Sequence, residues 1–199
     1  MHTRDALLQN FITTAETAFR AHAVDEASKI SIDHAFDTLQ IEVDAPKSSP
    51  SRLPVCDHWL EAALAQATNG ALAQLIKAFR DIEPQIQWRT RSGDAPHASA
   101  SFPKGHANAM IVGPGGIEAR TDVWIGASLL APHVRYPDHT HPPEETYLVL
   151  TPGAFRQGDG PWFEPGVGGS FYNPPKILHA MRAGETPLFA FWLLRTKEV

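Results

Sequence analysis

The stretch HTHPPEETYLVL, residues 139–150, is the most informative part of the chain, because it joins histidines and glutamates to a run typical of a buried strand. Successive side chains of a strand point to opposite faces, so Glu145 and Tyr147 lie on the same face. The same rule gives His139 and His141 a common face where the chain is extended. Because Pro142 and Pro143 lie between the two pairs, this rule does not show whether the two pairs share a face.

A further histidine, His179, lies in NPPKILHAM (173–181), where a pair of prolines marks a turn or a sheet edge. Neutral imidazole nitrogens and a carboxylate oxygen suit Fe²⁺, Zn²⁺ and Mn²⁺, and a site with three such ligands keeps positions open for a substrate. A single histidine beside prolines is more often a surface residue or a hydrogen-bonded core residue. The combination on predicted neighbouring strands indicates a metal site with a catalytic layout.

The composition predicts one compact domain and favours a small soluble ligand as its partner. The chain has 199 residues, 43% hydrophobic and 20% charged, with a net charge of -5 and no long charged run. These values argue against a nucleic acid or an anionic membrane as partner. We find no signal peptide or membrane-spanning segment in the sequence, which predicts a cytoplasmic protein. Cys56 is the only cysteine, so neither an internal disulfide nor a cysteine-based zinc cluster is expected.

The pattern along the chain changes from helical to extended. Residues 1–82 are predicted to be a helical region, 83–107 a loop, linker or lid, and 108–199 a β-barrel. The predicted helices are an amphipathic segment over 5–24, CDHWLEAALAQA from Cys56, and a third helix with Asn69 as its N-cap. The predicted strands are IEARTDVW (117–124), ETYLVL (145–150), GSFYN (169–173) and LFAFWLL (188–194). Short strands separated by close turns favour a sandwich or small barrel.

Two motifs in the β region resemble those of cupins. HTHPPEETYLVLTPG (139–153) is similar to the first cupin motif, whose glutamate spacing selects Glu145 over Glu144, and GGSFYNPPKILHA (168–180) is similar to the second. The resemblance implies a cupin barrel preceded by an α-helical region. The sequence departs from the usual pattern at four turn positions: His133 and Lys176 stand where cupins have glycine, Gly153 comes one residue late, and Ala183 replaces a frequent asparagine.

A narrower resemblance follows from two tyrosines. Tyr147 comes two residues after the glutamate and Tyr136 five before the second histidine, and the second-motif histidine follows that histidine by 38 residues. Together with the helical N-terminal half, this layout resembles the cupin-type dimethylsulfoniopropionate (DMSP) lyases. These enzymes cleave a small zwitterion into dimethyl sulfide and acrylate by β-elimination. The resemblance therefore implies a carbon–sulfur lyase that uses one divalent metal, Fe²⁺, Zn²⁺ or Mn²⁺.

The same resemblance suggests roles for the site residues. His141, Glu145 and His179 are expected to be metal ligands, with His139 as a fourth ligand or a neighbour of the site. Tyr147 is expected to be the general base, because a nearby divalent cation lowers the pKa of a phenol. Tyr147 is also a candidate metal ligand. Tyr136 is expected to orient the substrate carboxylate or to act as the alternative base.

Aromatic faces attract a cation such as the sulfonium end of this substrate. The β region offers Trp124, Trp162, Phe171, Tyr172 and Trp192 for an aromatic wall, and Trp192 and Trp162 are the candidates. Two other functions remain open from the sequence. The first is a cupin dioxygenase or isomerase that acts on a small organic acid, which oxygen consumption would reveal. The second is a non-catalytic cupin that binds a ligand. The sequence leaves the oligomeric state open between a monomer and a homodimer.

Overall fold

The computed structural model describes residues 4–43 and 49–196. Within these ranges, the N-terminal part contains the helices α1 (Ala6–His22), α2 (Glu26–Leu39), α3 (Pro54–Leu64) and α4 (Gly70–Ile82). The helix α1 begins where the Asp5 carboxylate accepts the backbone N–H groups of Leu7 and Leu8, a normal N-cap. No helix in the described ranges is long and apolar enough to cross a membrane.

Three predicted helices correspond to α1, α3 and α4. Asn69 precedes α4 as predicted, although its side chain makes no capping hydrogen bond. The helix α2 was not predicted, because Ser28 and Ser31 lie on its buried face and interrupt the apolar pattern. Its apolar buried residues are nevertheless spaced for one face of a helix: Ile32, Ala35, Phe36 and Leu39.

The predicted loop over 83–107 contains short regular elements. They are a 3₁₀ turn (Glu83–Gln85), the strand β1 (Trp88–Arg89) and the short helix α5 (Phe102–Gly105). Residues 90–101 between them have no regular structure. Trp88 and Phe102 are both buried, so the irregular stretch is fixed to the core at each end.

The remaining strands form two antiparallel sheets. They are β2 (His106–Val112), β3 (Val123–Leu130), β4 (Glu144–Val149), β5 (Ala154–Gln157), β6 (Ser170–Asn173), β7 (His179–Arg182) and β8 (Leu188–Arg195). The larger sheet has the order β1-β2-β3-β8-β4-β6, and β5 pairs with β7 in the smaller sheet. This confirms the predicted fold, a mainly β cupin barrel preceded by helices.

The two faces of the larger sheet have different partners. On one face, Phe189 and Phe191 pack against Phe79 of α4, with ring centres 5.5 and 5.1 Å apart. On the other face, Tyr147 packs against Phe155 of the smaller sheet, with ring centres 5.4 Å apart. The helices therefore cover one face of the larger sheet, and the second face and the smaller sheet enclose the space where the motif residues meet.

One predicted strand was wrong over most of its length. In IEARTDVW only Val123 and Trp124 belong to a strand, β3, and residues 117–122 form a connection. Arg120 Nη1 lies 2.9 Å from Glu118 Oε1, and Arg4 Nη2 lies 3.0 Å from the same oxygen. These charged side chains are buried as ion pairs. The alternation of apolar and charged residues therefore reflects a buried salt-bridge network that attaches the start of α1 to the barrel.

Candidate active site

The two sequence motifs meet through the backbone. The N–H of His139 donates to the carbonyl of His179 at 3.0 Å, and the N–H of His179 donates to the carbonyl of His139 at 2.9 Å. In the next turn, the N–H of Lys176 donates to the carbonyl of His141 at 2.9 Å. This pairing places the three imidazoles side by side, with the rings of His139 and His179 only 4.0 Å apart.

All three imidazoles have their Nδ1 atoms bonded to the backbone. The accepting carbonyls belong to Pro137 at 3.0 Å for His139, Pro143 at 2.9 Å for His141 and Ile177 at 3.0 Å for His179. Since a carbonyl only accepts, each Nδ1 carries the proton, and in the neutral ring Nε2 keeps its lone pair. Fixing the tautomer through the other ring nitrogen is the usual arrangement of metal-binding histidines.

The free nitrogens converge with a carboxylate. One ligand atom from each histidine lies within 4.8 Å of the others, and Glu145 Oε2 lies 3.5 Å from His141 Nε2 and 3.3 Å from His179 Nε2. Tetrahedral ligands with metal bonds of about 2.0–2.2 Å lie roughly 3.4 Å from each other. Within the described residues, Nε2 of His141 and of His179 are buried and have no hydrogen-bond partner. The donor set therefore fits a divalent transition metal.

Two amides from neighbouring strands orient the carboxylate. Asn173 lies opposite Glu145 in the pairing of β4 with β6, and its Nδ2 donates to Glu145 Oε2 at 3.0 Å. Gln157 Nε2 donates to Asn173 Oδ1 at 2.6 Å, which fixes the direction of the Asn173 amide. Neither residue was predicted from the sequence. Asn173 stands directly before the proline pair of the second motif, and strand pairing with Glu145 was the signal that could have revealed it.

The charges in this cluster depend on one another. Burial and the neighbouring His179 lower the pKa of His139 to about 3, so His139 is neutral at pH 7. Burial alone raises the pKa of Glu145, but His141 and His179 outweigh it and hold that carboxyl ionised. For His141, burial lowers the pKa, and the Glu145 carboxylate more than offsets this, so its pKa is raised.

Both predicted tyrosines lie beside the histidine cluster. Tyr147 is buried on the same face of β4 as Glu145, and burial followed by the Glu145 charge raises its pKa well above the ordinary value. The Tyr136 ring lies 5.0 Å from that of His139. Burial raises the pKa of Tyr136 as well, although the nearby charge of Arg91 opposes the shift. Of the two phenols, only Tyr136 has a positively charged side chain as neighbour in the described structure.

These residues line a cavity with an empty volume of about 600 Å³, part of which is open to solvent. The predicted residues in its wall are Tyr136, His139, His141, Glu145, Tyr147 and Trp192, and His179 lies directly behind them. The structure does not bring Trp162 to this wall. The Trp162 ring instead lies beneath three guanidinium groups, those of Arg135, Arg156 and Arg182, at 5.4, 5.4 and 4.3 Å.

The wall also contains Trp124, one of the aromatic residues that the sequence offered for it, and residues that were not predicted from the sequence, namely Arg91, Asn108, Met110, Ser128, Met181 and Leu194. Asn108 and Met110 belong to β2, a strand that was not predicted. Arg91 lies in the irregular stretch 90–101, where no periodic pattern distinguishes it from other polar residues. Gly126 on β3 is required by this wall, since a Cβ there would lie 2.1 Å from the Trp192 ring.

Comparison with known proteins agrees with this geometry. The family model described as dimethylsulfoniopropionate lyase matches residues 27–190. The chain belongs to the DMSP lyase family. The putative dimethylsulfoniopropionate lyase DddL of Cereibacter sphaeroides is 27% identical over 153 residues, which cover 75% of this chain and 63% of that protein. The matched part is thus less than two thirds of the length of this curated relative.

Solved structures show the same fold. The DMSP lyase DddQ from Ruegeria pomeroyi DSS-3 has a TM-score of 0.74 and 24% identity, with 97% of this chain and 93% of that chain covered. A structure from a study of the DMSP lyases RdDddP and RnDddQII has a TM-score of 0.69 and 20% identity, with 96% of this chain and 93% of that chain covered. The helical region of this chain is therefore part of the shared fold, and the family model confirms the predicted family.

Proposed function

We propose that this member of the family is a metal-dependent carbon–sulfur lyase that cleaves DMSP into dimethyl sulfide and acrylate. The observation that supports this proposal most directly is the cluster of three imidazoles, two of which have Nε2 within 3.5 Å of the Glu145 carboxylate, in a cavity that also contains two buried tyrosines. The chemistry requires removal of a proton from a carbon next to a carboxylate, which forms an unstable dianion unless positive charge is close.

In this proposal, His139, His141, Glu145 and His179 hold one divalent ion, Fe²⁺, Zn²⁺ or Mn²⁺. The three Nδ1 bonds to backbone carbonyls orient the histidines, and Asn173 orients the glutamate. When bound, the metal supplies Lewis acidity, which stabilises negative charge that develops on the substrate carboxylate and lowers the pKa of a nearby phenol. The protein supplies the base and the walls of the site.

Tyr147 is the proposed base. Its phenolate oxygen accepts the proton from the carbon next to the carboxylate, and the electron pair of that C–H bond forms the double bond of acrylate. The bond from the β-carbon to sulfur breaks with its electron pair on sulfur, so neutral dimethyl sulfide leaves. Burial and the Glu145 charge raise the pKa of Tyr147 in the protein without metal, so its phenolate requires a positive charge beside it in order to form.

Tyr136 is proposed to orient the carboxylate, and Trp192 to face the sulfonium group. An aromatic face attracts a desolvated cation by about 0.5–2 kcal/mol. Trp192 lines the cavity, half-buried, and lies directly opposite Tyr147 in the pairing of β4 with β8. Trp162 has no part in this proposal, because its ring is covered by arginines away from the cavity wall.

The test is headspace dimethyl sulfide from DMSP, with protein stripped of metal and reloaded with Fe²⁺, Mn²⁺ or Zn²⁺. Tyr147→Phe is expected to lower turnover about 10²–10⁴-fold while it retains bound metal. Tyr172→Phe is the matched control, since the Tyr172 hydroxyl donates to Glu144 instead of facing the cavity. Retained turnover in Tyr147→Phe with loss in Tyr136→Phe would assign the base to Tyr136. No dimethyl sulfide from protein that binds metal would contradict the lyase, and oxygen consumption would indicate a dioxygenase.

A further inference from the structure

One side chain gives the cavity a fixed positive charge. Among the described residues of the wall, Arg91 is the one arginine, and no lysine is present. Its Cζ lies 5.9 Å from the centre of the Tyr136 ring. Its Nε is buried and has no hydrogen-bond partner in the described structure. A buried guanidinium donor without a partner costs free energy unless a ligand satisfies it, which indicates an acceptor such as a carboxylate.

The backbone of Arg91 is held in place by a histidine outside the metal cluster. The Nδ1 of His106 bonds to the carbonyl of Phe102, and the ring of His106 is stacked on that of Phe102 with 3.8 Å between centres. The Nε2 of His106 therefore has a free lone pair, and it accepts the N–H of Arg91 at 2.7 Å. This contact attaches the irregular stretch 90–101 to β2 at the residue that reaches the cavity.

A chain of hydrogen bonds sets the direction of the Tyr136 hydroxyl. The indole N–H of Trp192 can only donate, and it donates to Ser128 Oγ at 3.1 Å. Ser128 Oγ then donates to Asn108 Oδ1 at 2.8 Å, and Asn108 Nδ2 donates to Tyr136 Oη at 2.8 Å. Because Tyr136 Oη accepts in this chain, its own hydrogen is left free to donate to a ligand in the cavity.

We propose that the Arg91 guanidinium and the Tyr136 hydroxyl form a carboxylate-binding subsite, with Asn108 as a positioning residue that acts through Tyr136. The identity of the carboxylate rests on the proposed function, in which it is that of DMSP. The subsite also gives the substrate a direction. Its anionic end lies towards Arg91, which is bonded to His106 at the start of β2. Its cationic sulfonium end lies towards Met110, further along β2, and towards Trp192, since both of these residues pair with Gly126 of β3.

The experiment compares the binding of two small probes, acrylate and its neutral analogue acrylamide, to Zn²⁺-loaded protein by calorimetry. The wild type is expected to bind acrylate more tightly than acrylamide. Arg91→Met is expected to weaken acrylate binding about 10- to 100-fold and to leave acrylamide binding unchanged, because the lost contact is a charge-assisted hydrogen bond. Arg91→Lys is expected to be intermediate, since it keeps the charge and loses the planar fork.

Arg182→Met is the matched control, because Arg182 is an exposed arginine stacked on Trp162. It is expected to bind both probes as the wild type does. Arg91→Met with wild-type acrylate affinity and full metal content would overturn the subsite, as would an equal loss for both probes. Binding of acrylate does not depend on turnover, so failure of the lyase proposal alone would leave the Arg91 effect intact.

The role of Asn108 is tested by a double-mutant cycle with Tyr136→Phe. If Asn108 acts through the Tyr136 hydroxyl, Asn108→Ala is expected to weaken acrylate binding about 3- to 10-fold in the wild type. In the Tyr136→Phe background the same change is expected to have no further effect. Equal losses in both backgrounds would overturn the positioning role of Asn108.

Discussion

The two faces of the larger sheet belong to the same strands and differ in composition. Towards the helices, the strands β2, β3 and β8 present mainly apolar side chains, among them Ile125, Leu129 and Phe191, all fully buried. Towards the cavity, the wall includes polar and aromatic side chains, among them Asn108, Ser128, Glu145, Tyr147 and Trp192, beside apolar ones such as Met110 and Leu194. The two-residue period of a strand thus separates residues that stabilise the fold from residues that form the site.

The largest expected effect comes from substituting one residue on each face of β8. Phe191 packs against Phe79, Phe11 and Phe189, so Phe191→Ala is expected to lower the free energy of unfolding by about 3–5 kcal/mol. Its neighbour Trp192 faces the cavity. Trp192→Phe is expected to lower the free energy of unfolding by about 1 kcal/mol, because it removes the hydrogen bond to Ser128. Urea denaturation of both variants measures this difference, and equal losses would contradict the division of roles.

A second variant pair tests the two faces of β6 for effects on metal affinity. Asn173→Ala removes the donor to Glu145 and is expected to weaken metal binding about 10- to 100-fold. The preceding residue Tyr172 bonds to Glu144, so Tyr172→Phe is expected to leave metal affinity unchanged. Competition with a chelator of known affinity measures both. A similar affinity in the two variants would show that Asn173 does not support the metal ligand.

The segment that leads into the first motif gives a prediction about acid stability. Burial alone raises the pKa of Asp138, but the charges of Arg135 and Arg156, at 2.6 and 2.7 Å, outweigh it and hold the pKa below the ordinary value. A carboxyl whose pKa is lowered by folding stabilises the protein above its unfolded pKa of about 3.9, and this stabilisation is lost as the pH falls through the folded pKa.

Asp138→Asn is therefore expected to lower the free energy of unfolding at pH 7 by about 1–3 kcal/mol. The difference from the wild type is expected to shrink as the pH falls below about 4. Urea denaturation over pH 7 to 2 measures both quantities. A difference that stays constant over this range would mean that the carboxylate charge does not carry the effect.

The smallest expected effect concerns a turn of the second motif. Lys176 is exposed and has a positive φ of 64°, a conformation that costs a residue with a Cβ about 1–2 kcal/mol. Glycine avoids this cost, although its greater freedom in the unfolded chain lowers the free energy of unfolding by about 0.5–1 kcal/mol. Lys176→Gly is therefore expected to raise the free energy of unfolding by roughly 0.5–1 kcal/mol. In the strand β7, Arg182→Gly is the control and is expected to lose stability. A loss at both positions in thermal unfolding would refute this explanation of the turn.

Local patterns in the sequence predicted much of the site. Glu145 and Tyr147 are two residues apart on one strand, so their common face follows from strand geometry alone. The glycine positions of the cupin pattern were informative even where the sequence departs from it, since both His133 and Lys176 have positive φ, at 61° and 64°. The convergence of His179 with the first motif was predicted from the resemblance of both motifs to those of cupins.

The residues that could not be predicted depend on long-range pairing. Asn108 and Ser128 reach the wall beside the predicted Trp192 because β2, β3 and β8 pair in that order, which no local pattern encodes. Arg91 reaches the cavity because His106 binds its backbone. The strand predicted from Ile117 failed for a related reason, since a local alternation does not reveal that Glu118 and Arg120 are buried in ion pairs with each other.

The most decisive measurement is a titration of metal-stripped protein with Fe²⁺, Mn²⁺ or Zn²⁺, in which bound metal and the rate of dimethyl sulfide release from DMSP are determined in the same samples. With the metal that supports turnover, the rate is expected to rise in proportion to bound metal and to reach a plateau at one ion per chain. At equal metal content, Tyr147→Phe is expected to lose this activity. Release of dimethyl sulfide from metal-free protein, or an undiminished rate in Tyr147→Phe, would contradict a metal-dependent lyase with Tyr147 as its base.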